Sequence, residues 1–436
     1  MRKTAAIILA LALACATLAA CTVNAPAPAP APEPSGQEEP AQEGTDAPAG
    51  DVVVNFITWR GEDSTVFKDL IAMFEDENPG IKVNLEITSA DITEYYTVLR
   101  TRFTSDSADV FNIHPGTYLA EWAVAGMIMD LAGTGLPELY EDDYLGVGQV
   151  DGIQYGLLTT YNSCGVYYNK KIFGELGLSE PRTYGELKAV CDAVSEAGYL
   201  TIAAGFGEGW CLDMILEPLV CNYAPTDPMA YRKLETGELK LADEPFVSVL
   251  RDIDRMNQDG IFMTDVNGTS YDASISLFAT EQAAMLLCGT WSIGGLKEMD
   301  DTLDFDIFPL PGVSAEPAAP IMPSQAISIN PNSKVMDAAL KFAAFLSSAE
   351  GEAYYCNNTA QSSTVKGVVS DAPEISMVQK LMSGKTAEWP DTYLTDSRMF
   401  DILDELASKI IGGAEVDVAA AEAQALIDSE VVPNAG

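Results

Sequence analysis

The sequence predicts an α/β fold, and three observations carry that expectation. From Asp51 onward short apolar strands alternate with amphipathic helices. Three such β–α units follow one another, which calls for a parallel sheet with helices on its faces. Hydrophobic residues make up 47% of the 436, enough for large cores and too many for wholesale disorder.

The first unit is an apolar strand, Val52 to Ile57, ending at Thr58-Trp59-Arg60-Gly61. Ser64 caps the helix that follows, with Val66, Phe67, Leu70, Ile71 and Phe74 on the 3.6-residue period. Asn78-Pro79-Gly80 stops it. Ile81 to Ile87 alternates as a second strand, and Asp91 starts a helix through Tyr95, Leu99 and Phe103. The third unit, Ala108 to Leu131, holds a buried strand from Asp109 to Ile113, then His114, the only histidine, and Pro115-Gly116. Proline and glycine end both ladder and helix there. Thr117 opens a helix through Leu119, Trp122, Ala123 and Val124, with Trp122 on its apolar stripe as a core residue. Parallel strands present pockets at their carboxyl ends, here Trp59 to Asp63, Thr88-Ser89 and His114 to Gly116. Further on, Gln149 to Asn162 reads as a turn, a strand and a polar crossing, and Gly165 to Asn169 as a strand. Phe305 to Gly312 and Ala326 to Ile329 read as strands, Val335 to Ser347 as an amphipathic helix, and Arg398 to Ile427 as a helical tail.

Ahead of this region, residues 1–20 have the form of a signal peptide, with Arg2 and Lys3 before an apolar run from Ala5 to Leu18. The run is too short to span a membrane. Leu18-Ala19-Ala20-Cys21 resembles the bacterial lipoprotein lipobox, which implies acylation of Cys21 and attachment to the outer face of the cell membrane. Residues 21–50, rich in Pro, Ala and Glu, form an extended tether.

Composition excludes several roles. Lys+Arg number 24 against 65 Asp+Glu, a net charge of −41, which opposes binding to nucleic acid or docking by charge on anionic lipid. Cys164, Cys191, Cys211, Cys221, Cys288 and Cys356 are widely spaced and mostly flanked by apolar residues, so buried thiols are expected; a Cys211–Cys221 bridge stays open. A single histidine and no Cys/His cluster argue against a zinc site, and no other metal or cofactor is expected.

Four motifs, in this order, resemble the bacterial extracellular solute-binding proteins that receive maltodextrins and multiple sugars for ABC transporters. They are Phe74 to Val83 (FEDENPGIKV), Ala108 to Leu131, Gly152 to Lys170, and Glu281 to Trp291 (EQAAMLLCGTW). The resemblance implies a two-lobed periplasmic-binding-protein fold (type II-like), each lobe a mostly parallel sheet flanked by helices, joined by a hinge. It implies lobe 1 at 51–160 plus 304–352 and lobe 2 at 161–303 plus 353–436. It also implies a monomer that traps a neutral carbohydrate between the lobes without chemistry and delivers it to permease transmembrane subunits.

Sugars present apolar C–H faces that stack on aromatics and hydroxyl edges that need polar partners. Trp59 sits at a strand end beside Glu62 and Asp63, both able to accept hydroxyl protons. Phe206 and Trp210 lie in a glycine-rich loop, GFGEGW, that can present either ring. Trp389, before Pro390, is a weaker candidate. The resemblance adds Trp291 as a stacking ring and His114 as a ligand contact without acid–base duty. It adds Tyr161 and Asn162 at the hinge crossing, Gln325 before a strand, and Arg398 in the last contact segment. Two rivals remain: a receptor of the same shape for a polyamine or other small solute, suited by Trp59 with Glu62 and Asp63, and an exported glycoside hydrolase, which needs paired carboxylates across a cleft.

Overall fold

A computed structural model describes residues 51–89 and 91–434. The leader, Cys21 and the tether lie outside the described residues. The three β–α units form as their patterns require: β1 (Val52–Thr58), α1 (Ser64–Glu77), β2 (Ile81–Ile87), α2 (Ile92–Thr104), β3 (Val110–Ile113) and α3 (Thr117–Val124). Phe67, Leu70 and Phe74 of α1 are buried against Val54 and Phe56 of β1 and against Phe342. Asp91 caps α2 by accepting the Glu94 N–H at 2.8 Å. Ser64 lies inside α1, which Asp63 precedes as N-cap.

The turn from β3 to α3 has a tertiary cause. Gly116 holds φ at 81°, and a Cβ there would stand 2.7 Å from the carbonyl oxygen of Thr392. Thr117 does not cap α3; its hydroxyl donates to the Leu394 carbonyl at 2.7 Å. The strand end is thereby closed against the 390s segment. Trp122 is a core residue, 1% exposed.

Beyond α3 a short hairpin pairs β4 (Gln149–Val150) with β5 (Ile153–Gln154). Three strands then follow almost without interruption: β6 (Leu157–Leu158), β7 (Thr160–Asn162) and β8 (Cys164–Asn169). Each belongs to a different sheet. The remaining strands are β9 (Leu200–Ala203), β10 (Ala283–Gly289), β11 (Phe305–Phe308), β12 (Ala319–Pro323), β13 (Ala326–Ile329), β14 (Ser362–Ser363) and β15 (Thr386–Glu388). The first sheet runs β2-β1-β3-β13-β6, the second β11-β8-β10-β9, and a third β14-β7-β12-β15.

Among the described strands, parallel pairing joins β1 with β2 and β3, β10 with β9, and β12 with β15. β13 and β6 join the first sheet antiparallel, and β8 lies antiparallel to both β10 and β11. The expectation of mostly parallel sheets is corrected to mixed ones, because β6, β8 and β13 each follow another strand directly, without the crossover helix that a parallel pair needs. β11 pairs with β8 in the second sheet.

All six described cysteines are buried and free, so Cys211 and Cys221 form no bridge. Among the described residues no helix is long and apolar enough to cross a membrane.

Candidate ligand cleft

The third sheet brings the strand ends of the other two to one place. Trp59 and Arg60 follow β1, His114 follows β3, and Gln325 precedes β13, all on the first sheet. Trp291 follows β10 of the second. Asn162 ends β7, Met322 and Pro323 end β12, and Trp389 follows β15, all on the third. These residues line one cavity of about 130 Å³, with Glu62, Trp210, Asp213, Tyr271, Ser324 and Asp391 completing its polar and aromatic walls. A wider groove of about 560 Å³ continues past Trp59, Glu62 and Tyr271 toward Thr88, Ser89 and Met299. A smaller recess extends the other way, between His114, Tyr118 and Trp389.

Four of the five tryptophans are walls of this cavity, and each is held by a specific contact. The Trp59 indole stacks on His114 with ring centroids 3.8 Å apart and an interplanar angle of 16°. His114 in turn meets the Tyr96 hydroxyl at Nδ1, 3.1 Å away. Burial, with Arg60 adding its charge, lowers the His114 pKa to about 3, so the ring is neutral at physiological pH. Trp291 donates its indole N–H to the Tyr271 hydroxyl at 3.1 Å, and Trp210 donates to Glu208 at 3.1 Å. Trp210 tilts over Tyr271 at 4.9 Å and over Trp291 at 6.4 Å. A Cβ at position 289 would stand 1.9 Å from the Trp291 ring, so glycine is what lets that indole fold back over the strand end. Trp389 is fixed by its backbone, whose N–H donates to the Ile321 carbonyl at 3.0 Å.

Three of the polar groups are carboxyls. Burial raises Glu62 to about 7, with Arg60 opposing the rise. Burial likewise raises Asp391 to about 7. Asp213 is pushed well above the usual carboxylate range by burial and then by Asp391. Behind it, one helical turn along Asp213–Tyr223, Glu217 is fully buried, and the Tyr231 hydroxyl is the one polar side chain that stabilises its charge. No group of three or more His, Cys, Asp or Glu among the described residues is arranged to hold a metal ion.

Of the residues expected from sequence, Trp59, Glu62, His114, Asn162, Trp210, Trp291 and Gln325 meet at this cavity. Four do not line it. Asp63 is 2% exposed and sits beneath Arg60, accepting from its Nε at 2.8 Å and from the Tyr355 hydroxyl at 2.7 Å. Tyr161 is the strand neighbour of Asn162, and alternation turns it to the opposite face. There it packs on Tyr144, ring centroids 5.1 Å apart, in a separate groove with Glu388 and Tyr393. Phe206 is 3% exposed and packs edge-on against Phe262 in the second-sheet core. Arg398 is exposed and pairs with Asp396.

Arg60, Asp213, Tyr271 and Asp391 line the cavity without having been singled out from sequence. Position offered a signal for two of them: Arg60 adjoins Trp59 at a strand end, and Asp391 follows the Trp389-Pro390 turn. Nothing in the local pattern marks Tyr271 or Asp213.

The comparisons with known proteins agree with this geometry. The profile of the bacterial extracellular solute-binding proteins matches residues 60–353. The chain is 27% identical over 326 residues to a multiple sugar-binding protein of Streptococcus mutans, covering 73% of this chain and 77% of that one. The solved structure of RafE in complex with raffinose superposes with a TM-score of 0.73 at 22% identity, over 86% of this chain and 99% of that one. A chitin oligosaccharide binding protein superposes at 0.74 and 21% identity, over 88% and 100%. The fold is that of the two-lobed solute-binding proteins, and membership of the family implies an extracytoplasmic location. The chain belongs to the bacterial extracellular solute-binding protein family.

Proposed function

We propose that this protein is the receptor of an ABC importer, capturing a neutral oligosaccharide in the cleft and handing it unchanged to permease transmembrane subunits. The observation that carries the reading is the wall of four tryptophans, drawn from all three sheets and interleaved with Arg60, Asn162, Gln325, Asp213 and Asp391. Indole faces cover sugar C–H faces, and the carboxylates and amides meet hydroxyl edges. The names of relatives that bind multiple sugars, raffinose and chitin oligosaccharides support the same class of ligand.

The strand pairings support one lobe built on the first sheet and another on the second, with crossings near 158–164, 308–326 and 359–386. Closure about β7 and β12 buries the solute. The lipobox-like sequence at Cys21 supports a lipid anchor, with the protein working as a monomer at the end of its tether.

A second reading is favoured by one feature. Burial and then neighbouring carboxyls, Asp391 among them, raise Asp213, Glu217 and Asp404 with no basic side chain among the causes, which suits a polyamine. A thermal-shift screen of trisaccharides against spermidine and putrescine separates the two. A rise in Tm with a saccharide and none with a polyamine supports the proposal; the reverse pattern overturns it. Intact saccharide recovered after long incubation answers the hydrolase alternative.

A further inference from the structure

We infer that Arg60 is the specificity-determining donor of the cleft, and that Tyr355 is a positioning residue that holds it through Asp63; the assignment rests on the saccharide reading. Arg60 lines the cavity yet is only 4% exposed. Its Nε donates to Asp63 Oδ2 at 2.8 Å and lies 3.2 Å from Glu62 Oε1. Its buried Nη2 meets no acceptor among the described residues. A guanidinium carries five N–H donors, and a buried one left unpaired costs the full desolvation of that group. The acceptor that completes this donor set comes from what enters the cavity. Two carboxylates flank the one guanidinium, so this end of the cleft has no spare positive charge. It suits a hydroxyl, ring or glycosidic oxygen and disfavours a carboxylate, so the ligand is a saccharide that carries no acid group there.

The guanidinium is held from behind by a chain of buried hydrogen bonds. Tyr355 donates to Asp63 Oδ2 at 2.7 Å and accepts from Gln325 Nε2 at 2.8 Å and from Gln361 Nε2 at 3.2 Å. Ser324 Oγ donates to Gln325 Oε1 at 2.6 Å, and Asn162 Nδ2 donates to Ser324 Oγ at 2.9 Å. Thr290, next to Trp291, donates to Asn162 Oδ1 at 3.3 Å. All six of these links in the chain, from Asp63 to Thr290, are more than nine-tenths buried. They join the donor on the first sheet, through the third, to the stacking ring on the second. Tyr355 does not line the cavity and so acts on ligand only through its neighbours.

The test is calorimetric titration of the full chain with maltotriose, raffinose, triacetylchitotriose, trigalacturonate and spermidine. A neutral trisaccharide is expected to bind and trigalacturonate is not. Arg60→Lys keeps a cation beside Asp63 but removes the Nη2 donor, and is expected to weaken the bound trisaccharide about tenfold to a hundredfold. Tyr355→Phe is expected to weaken it several-fold and, by leaving the buried Gln325 and Gln361 amides short of an acceptor, to lower Tm by a few degrees without unfolding the protein. In the wild type, nitrogen-15 signals of the Arg60 guanidinium are expected to shift and sharpen on saccharide addition, which a merely structural ion pair would not do; this readout holds even if a variant fails to fold. Trisaccharide binding undiminished in Arg60→Lys, or guanidinium signals indifferent to saccharide, overturns the assignment of Arg60 alone. Unchanged affinity in Tyr355→Phe overturns the positioning role, and trigalacturonate binding as tightly as a neutral sugar overturns the charge argument. Spermidine binding with no saccharide binding overturns this assignment together with the saccharide reading.

Discussion

At the scale of single residues, the separation between cleft and core decides what a substitution does. Trp210 is half-buried and faces Tyr271 and Trp291, so Trp210→Ala removes a stacking surface and little core. It is expected to cost about 1.5–3 kcal/mol of binding, roughly tenfold to a hundredfold in Kd by calorimetry, with Tm nearly kept. Phe206, four residues earlier, is the contrast. Phe206→Ala opens a void beside Phe262 and is expected to cost about 3–5 kcal/mol of stability in denaturant unfolding, while the protein that remains folded keeps its affinity. Sequence placed both rings in one exposed loop, because glycine spacing shows where a chain turns but not which ring it turns inward. The same limit explains Tyr161 and Asn162. Neighbours on a strand cannot both face the cleft, and the sequence around them gave no register to choose between them.

At the scale of elements, the strand ends were the legible part of the site. Trp59 and His114 follow β1 and β3, where an α/β pattern alone puts ligands, and they stack on each other at 3.8 Å. The elements that supply Asp213, Tyr271 and Asp391 were not legible as cleft walls, since their approach depends on three sheets meeting across long separations. The helix Asp213–Tyr223 shows what that approach costs. Asp213 and Glu217 are carboxyls one turn apart, and Glu217 is fully buried with only the Tyr231 hydroxyl to stabilise its charge. Burial raises its pKa, so the folded state keeps it protonated while the unfolded chain ionises it, and stability is lost as pH rises above the ordinary carboxyl value. Glu217→Gln is therefore expected to raise Tm at pH 8 and to leave it nearly unchanged at pH 5, as read by differential scanning calorimetry.

For the whole molecule, buried carboxyls set the pH dependence of stability. Burial raises Glu62 and Asp391 to about 7 and Glu352 to about 8. Between their ordinary values and these, the folded chain binds more protons than the unfolded one, so stability falls as pH rises from about 4 through 8. His114, lowered to about 3, works the other way, but only below its ordinary value near 6.5. Tm is expected to be highest near pH 4 and to fall by several degrees toward pH 8.5, with Glu352→Gln flattening part of the fall. An unchanged Tm across that range would contradict the carboxyl account. The net charge of −41 was plain in the sequence; which acids lie buried was not, because burial follows from packing and not from composition.

The cleft as a tryptophan-walled saccharide site is tested most directly by the fluorescence of those rings. Trp59, Trp210, Trp291 and Trp389 line the cavity, and Trp122 alone lies apart in the core. Titrating the protein with neutral trisaccharides while following intrinsic emission is expected to give a saturable blue shift with at least one of them, reduced in Trp210→Ala. Emission unmoved by every saccharide, with a saturable change on adding spermidine, would contradict the account.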